Sequence, residues 1–229
     1  MTKRLALKLN HTVFDPACFV QPWILKLRLA FRDILFYEKE NSLSGWDLPL
    51  PEQFRTQWIK LTEEMFELET LEFPRSLVPR FYDPNIKPTL TLFSDASDLG
   101  NCCVGYLVWK LLDGTIQVSF VTSKTKIASL TKISTPKMEL VSAQISTRLR
   151  CWLKDEMNIE FGKVYHIVDS SIILGMITNV SLKFDTFTAP RVTEIQMNTA
   201  IEEWFWTSTD QMPADLGTWG KFFCFRPWG

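Results

Sequence analysis

Four acidic residues lie at positions where their carboxylates could bind metal ions or act in catalysis. Asp95 and Asp169 each follow a run of apolar, strand-forming residues, and each is followed by a small residue. Ligand sites in open α/β sheets lie beyond the carboxyl ends of the strands, so we expect these two carboxylates to converge there. The alternative for either aspartate alone is that it caps a helix or a turn.

The other two acids lie near predicted helix starts. Glu139 falls in the first turn of a long predicted helix, beside its apolar stripe, and Asp215 follows Pro213-Ala214, where the helix dipole favours an acid in any case. Carboxylates gathered in one cleft repel one another unless cations neutralise them. Oxygen ligands without His or Cys select Mg²⁺ or Mn²⁺. Together the four acids predict a site for two such ions, which can clamp the attacking and leaving oxygens of a phosphoryl displacement.

The sequence disfavours other kinds of site. It has two histidines, His11 and His166, and His166 lies within a predicted strand, which argues against a Ser-His-Asp triad or a zinc site. A Gly-rich phosphate-binding loop is absent. The five cysteines have no metal-type spacing, which indicates a reduced, intracellular protein of the cytoplasm or nucleus. Neither a secretory signal nor a run of roughly 18 apolar residues occurs, so we expect no membrane partner.

Charge is unevenly distributed along the chain, although the net charge is −1. Residues 121–150 contain six lysines and arginines and one acid, whereas residues 52–72 contain six acids and two bases. A basic belt beside a carboxylate site is typical of a rim that grips nucleic-acid phosphates. The alternative is two ordinary solvated faces. The predicted phosphate contacts are Lys124, Lys126, Lys132 and Lys137.

The chain divides into three predicted segments, whose helices and strands would hold these residues in place. Residues 1–72 carry apolar residues at three- and four-residue steps and predict helices, one opened by Pro22 and another by Pro51. Four prolines mark residues 73–88 as a linker, because no helix tolerates them. From residue 89 to residue 229 the pattern changes to that of alternating strands and helices.

The third segment predicts an α/β domain, a mixed β-sheet flanked by helices in the order β-β-β-α-β-α-α-β-α. Asp113-Gly114 predicts a hairpin turn. Thr135 predicts the cap of the long helix, whose apolar face would include Trp152. The predicted strands are residues 89–95, 103–111, 115–122, 164–168 and 201–207, and the helices after the long one are residues 171–177, residues 190–198 and a turn from Pro213.

The four acidic motifs, in their order along the chain, resemble the ribonuclease H region of Pao/BEL-class long-terminal-repeat retrotransposon polyproteins. The motifs are Phe-Ser-Asp95-Ala-Ser, Thr-Pro-Lys-Met-Glu139-Leu, Asp169-Ser and Pro-Ala-Asp215-Leu. In that family the first Asp ends strand one, the Glu lies in the first long helix, the next Asp ends strand four and the last Asp starts the final helix. Upstream, Trp46-Asp-Leu-Pro-Leu-Pro resembles the helical connection segment between reverse transcriptase and ribonuclease H.

This resemblance implies a function. The four acids would hold two Mg²⁺ or Mn²⁺ ions and act as an endonuclease that hydrolyses the RNA strand of an RNA–DNA hybrid. The shallow minor groove with its 2′-hydroxyls would be recognised largely without sequence preference. A reverse transcriptase palm is absent from this sequence, so that domain would be a separate partner. The chain would then be a piece of such a polyprotein, or a gene derived from one.

Several positions depart from the family's usual pattern. Ile167-Val168 stand in place of the usual Trp-Ser, Trp206 in place of His, Met212 in place of Asn and Trp219 in place of Arg. Metal sites depend on the residues that orient the ligands. The alternative function is therefore a catalytically impaired, domesticated or decaying retroelement fragment that binds nucleic acid or protein.

Overall fold

The computed structural model of the chain describes residues 1–43, 45–131, 133–180 and 183–220. The first segment is helical, with α1 at Lys3–Asn10, α2 at Gln21–Glu40, α3 at Glu52–Glu67 and a short 3-10 turn at Leu68–Thr70. The strands that follow are β1 at Thr89–Ala96, β2 at Gly100–Lys110, β3 at Ile116–Ile127, β4 at Lys163–Val168 and β5 at Trp204–Trp206. The later helices are α4 at Thr135–Glu156, α5 at Ser171–Thr178, α6 at Thr188–Asn198 and α7 at Pro213–Thr218.

The five strands form one mixed sheet in the order β3-β2-β1-β4-β5. β1, β2 and β3 are antiparallel neighbours, and β4 runs parallel to β1, as β5 does to β4. The predicted hairpin between β2 and β3 is confirmed, because Gly114 adopts a positive φ of 86° and the Asp113 carboxylate accepts from the Thr115 amide at 2.9 Å. β1 therefore lies in the middle of the sheet, with β4 on one side and the hairpin on the other.

Helices cover both faces of the sheet. α4 packs through Leu149 and Leu153 on Leu90 and Leu92 of β1, and α7 packs on the opposite face against β2. The predicted apolar face of α4 was wrong at one end, because Trp152 is 50 % exposed. The side of α4 that meets the sheet carries small residues beside these leucines, namely Ser142, Ala143, Ser146 and Thr147.

The helical segment packs on the sheet through α2. It has its own apolar core, in which Trp23 and Ile34 of α2 meet Trp58 of α3. The Ser123 hydroxyl of β3 donates to the Cys18 carbonyl oxygen at 2.6 Å, just before α2 begins. None of the helices in the described ranges has the length and apolarity that crossing a membrane would require. The predicted boundaries at residues 72 and 88 stay a prediction.

Two local predictions were wrong. Ile201–Glu203 is a 3-10 turn and not the start of a strand, because the Glu203 carboxylate turns back to accept from the Ala200 amide at 3.0 Å. Thr135 is the first residue of α4 and not its cap. Ser134 occupies the cap position, without a side-chain hydrogen bond.

Candidate active site

The parallel pairing of β1 and β4 brings the first two acids side by side. Its register runs from Thr89 opposite Lys163 to Phe93 opposite Ile167. Two residues further along each strand come Asp95, which still belongs to β1, and Asp169, which directly follows β4. The two carboxylates therefore lie at the carboxyl ends of adjacent parallel strands.

A buried hydrogen-bond network holds the start of α4 against the same edge. The Ser142 hydroxyl donates to the backbone carbonyl of Asp95 at 2.6 Å. The Asn101 amide of β2 donates to both the Met138 carbonyl and the Ser142 hydroxyl at 2.9 Å. This network fixes Glu139, one residue after Met138, close to the strand ends, where the Ser170 hydroxyl donates to its carboxylate.

The last acid reaches the site from α7. Met212 and Ala214 are buried against Cys102 and Val104 of β2, which seats the start of α7 on the sheet. The Ser97 hydroxyl, just beyond β1, donates to the carbonyl oxygen of Thr218 at 3.2 Å. Asp215 lies in the first turn of this helix.

The charges of the other three acids act on Asp95. Asp95 is 8 % exposed, and burial first, then the charge of Asp169, raises the pKa of its carboxyl to about 7. A hydrogen bond from the Ala96 amide opposes the shift, and the charges of Asp215 and Glu139 add to it. Burial and the charge of Asp169 also raise the pKa of Glu139, against the hydrogen bond from Ser170.

Neutral donors, and not cations, surround these carboxylates. The Thr209 hydroxyl donates to Asp169 Oδ2 at 2.9 Å, and the Trp219 indole donates to Asp215 Oδ1 at 3.0 Å. Among the residues that the structure describes, none of the four acids forms an ion pair with Lys, Arg or His. Sequence reasoning missed these donors. A signal existed only for Ser170, which is the neighbour of Asp169 in the motif.

The donor set fits a hard divalent cation by its chemistry, since it consists of carboxylate and hydroxyl oxygens. Asp95 in particular is a buried carboxylate that forms no ion pair with any cation of the described residues. In the described ranges, however, no three His, Cys, Asp or Glu side chains gather closely enough to hold one ion. Carboxylates that no cation neutralises repel one another, which favours a looser arrangement.

The predicted phosphate-contact lysines differ in their surroundings. Lys124 and Lys126 project from β3 and are exposed. Lys137 is engaged by Asp185, whose carboxylate lies 2.5 Å from its ammonium. Lys132 lies outside the described residues. A role of these lysines in nucleic-acid binding stays a prediction.

A family model decides what this chain is related to. The model of the Pao retrotransposon-like RNaseH-like domain matches residues 2–170, which is well over half of the chain. The chain belongs to this Pao family. The match includes the helical segment and reaches Asp95, Glu139 and Asp169, whereas Asp215 lies beyond it. The resemblance seen in the sequence is confirmed, and so is the ribonuclease H-like fold with its mixed sheet, flanking helices and helical N-terminal region.

Solved structures show more distant similarity to this Pao-family chain. Ribonuclease H1 of Halobacterium salinarum shares 10 % identity over 56 % of this chain and 90 % of its own, with a TM-score of 0.33. A compost-derived ribonuclease H1, solved with an RNA/DNA hybrid, shares 12 % identity over 56 % of this chain and 91 % of its own, with a TM-score of 0.33. The prototype foamy virus protease–reverse transcriptase shares 14 % identity over 90 % of this chain and 24 % of its own, with a TM-score of 0.30. No curated protein matches the chain.

Proposed function

We propose that this chain is a retroelement-derived ribonuclease H that hydrolyses the RNA strand of RNA–DNA hybrids at Asp95, Glu139, Asp169 and Asp215. The observation that carries the proposal is Asp95, a buried carboxyl at the end of the central strand, whose pKa is raised first by burial and then by the charges of the three other acids. Burying like charges together costs folding free energy. Such arrangements are concentrated at functional sites, where the perturbed group has a chemical task.

The four acids are the residues that would hold two Mg²⁺ or Mn²⁺ ions. Bound divalent cations would supply charge neutralisation and Lewis acidity at the scissile phosphate. The chain's own part is to present its ligands in fixed positions. The strand ends place Asp95 and Asp169, the Ser142 network fixes the start of α4, and the Thr209 hydroxyl orients the Asp169 carboxylate.

Substrate binding would depend on groups outside the acidic edge. Lys124 and Lys126 are exposed and, within the described residues, lack a carboxylate partner, so they are the strongest candidates for phosphate contacts. Lys137 is a weaker candidate, since it already pairs with Asp185. Lys132 stays a candidate that lies outside the described residues. The helical segment of residues 1–72, which belongs to the family match, is the candidate contact for a separate reverse transcriptase palm.

The test is hydrolysis of an RNA–DNA hybrid labelled on each strand, with Mg²⁺. The wild type should give cut RNA and intact DNA. Asp169→Asn should lower the rate at least ~10³-fold, because metal-ion catalysis is worth several kcal/mol and ~1.4 kcal/mol corresponds to tenfold. Asp155→Asn, an exposed acid at the end of α4, is the matched control and should cut normally. A wild type as inert as Asp169→Asn would refute the proposal.

A second candidate function is a non-catalytic module that binds nucleic acid or protein. The observation in its favour is that, in the described ranges, no three potential ligands converge on one position. The side chains of Trp206, Met212 and Trp219, which depart from the family's usual residues, favour it as well. This function predicts hybrid binding without any cleavage, and equal behaviour of the wild type and Asp169→Asn at saturating Mg²⁺.

A further inference from the structure

Two half-exposed tryptophans flank the acidic site. Trp206, the last residue of β5, is 57 % exposed, and Trp219, directly after α7, is 51 % exposed. The Trp206 indole N–H donates to the Asp169 carbonyl oxygen at 2.9 Å, and the Trp219 indole N–H donates to Asp215 Oδ1 at 3.0 Å. Each ring is thus attached by its polar edge to a residue of the proposed site.

These hydrogen bonds determine what remains available to a ligand. The single polar atom of each indole is already satisfied, so the exposed part of each ring is its apolar π surface. Within the described residues neither ring stacks on another aromatic side chain, and neither lies under a Lys or Arg. Each tryptophan therefore presents beside the acids a fixed, flat surface that no ring or cation of the described residues covers.

The chemistry that fits such a surface is a nucleobase. Every base has a π face, and stacking on an aromatic side chain does not depend on base identity. Inside a continuous duplex the base faces are covered by their neighbours, so only unpaired or splayed bases can stack on a protein ring. A phosphate would leave the π surface of both indoles unused.

We propose that Trp206 and Trp219 are stacking platforms for unpaired bases next to the acidic site. This inference rests on the proposed function and narrows it. The favoured substrate is a hybrid that continues into single-stranded RNA, and a continuous blunt duplex is bound less tightly. The two tryptophans act as binding residues for the flanking nucleotides and take no part in the bond-breaking step.

The test compares two labelled hybrids that differ in their overhang, with the full chain in EDTA so that no cutting occurs. One hybrid carries a short single-stranded RNA overhang with bases, and the other carries an overhang of equal length and charge made of abasic nucleotides. The wild type should bind the base-bearing hybrid about tenfold more tightly, as stacking of one or two bases allows. This comparison of two ligands needs no variant, so misfolding cannot obscure it.

Variants then assign the effect to the two rings. Trp206→Leu and Trp219→Leu should each lower the preference several-fold, and the double variant should abolish it. Trp206→Phe and Trp219→Phe should keep most of the preference, because phenylalanine retains a π face. The part that is lost would reflect the missing indole N–H, which fixes each ring. Trp46→Leu is the matched control, since Trp46 is 46 % exposed but lies in the helical segment under the Lys3 ammonium.

Three results would overturn the inference. They are equal wild-type affinity for the two hybrids, an undiminished preference in the double Leu variant, and loss of the preference in Trp46→Leu. Its failure is distinguishable from failure of the proposed function. A chain that prefers the base-bearing overhang yet cuts nothing would refute the nuclease and support the platforms. A chain that cuts hybrids but does not prefer the base-bearing overhang would support the nuclease and refute the stacking platforms.

Discussion

The two ends of the same parallel strands, β1 and β4, differ in how their charges are balanced. The amino end borders a cavity of about 680 Å³ that is rich in basic residues. There Lys87 pairs with Glu160 at 2.6 Å, and Arg150 pairs with Glu203 at 3.2 Å. At the carboxyl end the acids meet only neutral donors among the described residues, and Asp95 is buried with a raised pKa.

We infer that buried acids without a cationic partner among the described residues mark the candidate site better than cavity size does. Two ion pairs neutralise Lys87 and Arg150 at the amino end, where Lys154 and Lys163 form no ion pair among the described residues but are exposed to solvent. At the carboxyl end, burial and the charge of Asp169 raise the pKa of Asp95 and of Glu139, so the charged forms of these two acids destabilise the fold when no cation neutralises them. Strand direction explains the location, since the carboxyl ends of parallel strands open into the crevice in which α/β proteins bind ligands.

The largest effect of this difference on stability should come from Asp95. A carboxyl whose folded pKa is raised from 3.8 to about 7 binds more protons in the folded state, so its contribution to stability falls as the pH rises through this window. Asp95→Asn should therefore raise the free energy of unfolding at pH 8, without metal, by roughly 2 kcal/mol and flatten the pH dependence above pH 4. Chemical denaturation across this range measures both. Glu160→Gln, at the amino end of the strands, should change neither the free energy of unfolding at pH 8 nor its pH dependence. If Asp95→Asn is less stable than the wild type at pH 8, the charged Asp95 carboxylate does not destabilise the fold.

A smaller effect should come from the hydroxyl that orients Asp169. Groups that hold a metal ligand in place contribute about 10–100-fold to metal affinity or activity. Thr209→Val should weaken Mn²⁺ binding about tenfold, and Thr209→Ser, which keeps the hydroxyl, should restore it. Thr193→Val, which loses only a hydrogen bond to the Ala189 carbonyl within α6, is the matched control. Equal Mn²⁺ affinity of Thr209→Val and Thr193→Val would show that Thr209 has no orienting role.

The smallest effect should come from the exposed lysines of β3. Replacing Lys124 and Lys126 together with Ala should lower hybrid affinity a few-fold and reduce the slope of log affinity against log salt by roughly one to two units, because each lost phosphate contact releases fewer counterions. Stability should hardly change, since exposed charges contribute little. Lys154→Ala with Lys163→Ala, which removes two cations at the amino end, should leave the slope unaltered. If both double variants reduce the salt slope equally, Lys124 and Lys126 make no phosphate contacts that other exposed lysines do not make.

The sequence predicted what depends on local chemistry. The Asp113-Gly114 hairpin was predictable because a tight hairpin loop needs a residue that readily adopts a positive φ, as Gly114 does. The strand-end position of Asp95 was predictable because alternation marks the strand before it. The strand predicted from residue 201 failed, because the Glu203 carboxylate holds a turn there that the apolar pattern does not indicate.

Long-range contacts account for what the sequence could not predict. The apolar stripe of α4 pointed to Trp152 as buried, yet this side chain is exposed. The face on the sheet combines Leu149 and Leu153 with small residues such as Ser142, which reaches buried partners on β1 and β2. Thr209 donates to Asp169 across 40 positions of sequence. Such a pairing exists only once the sheet has formed, and no local pattern encodes it.

A crystal structure of the chain soaked in Mn²⁺, with the ions located by anomalous scattering, tests the metal site directly. We expect two Mn²⁺ peaks, roughly 3.5–4 Å apart, with Asp95 and Asp169 as ligands and with Glu139 and Asp215 drawn towards them. The same soak of Asp169→Asn should show at most one weak peak. Peaks at the amino end of the strands, or four carboxylates that bind no Mn²⁺, would contradict the assignment of this edge as a metal-dependent nuclease site.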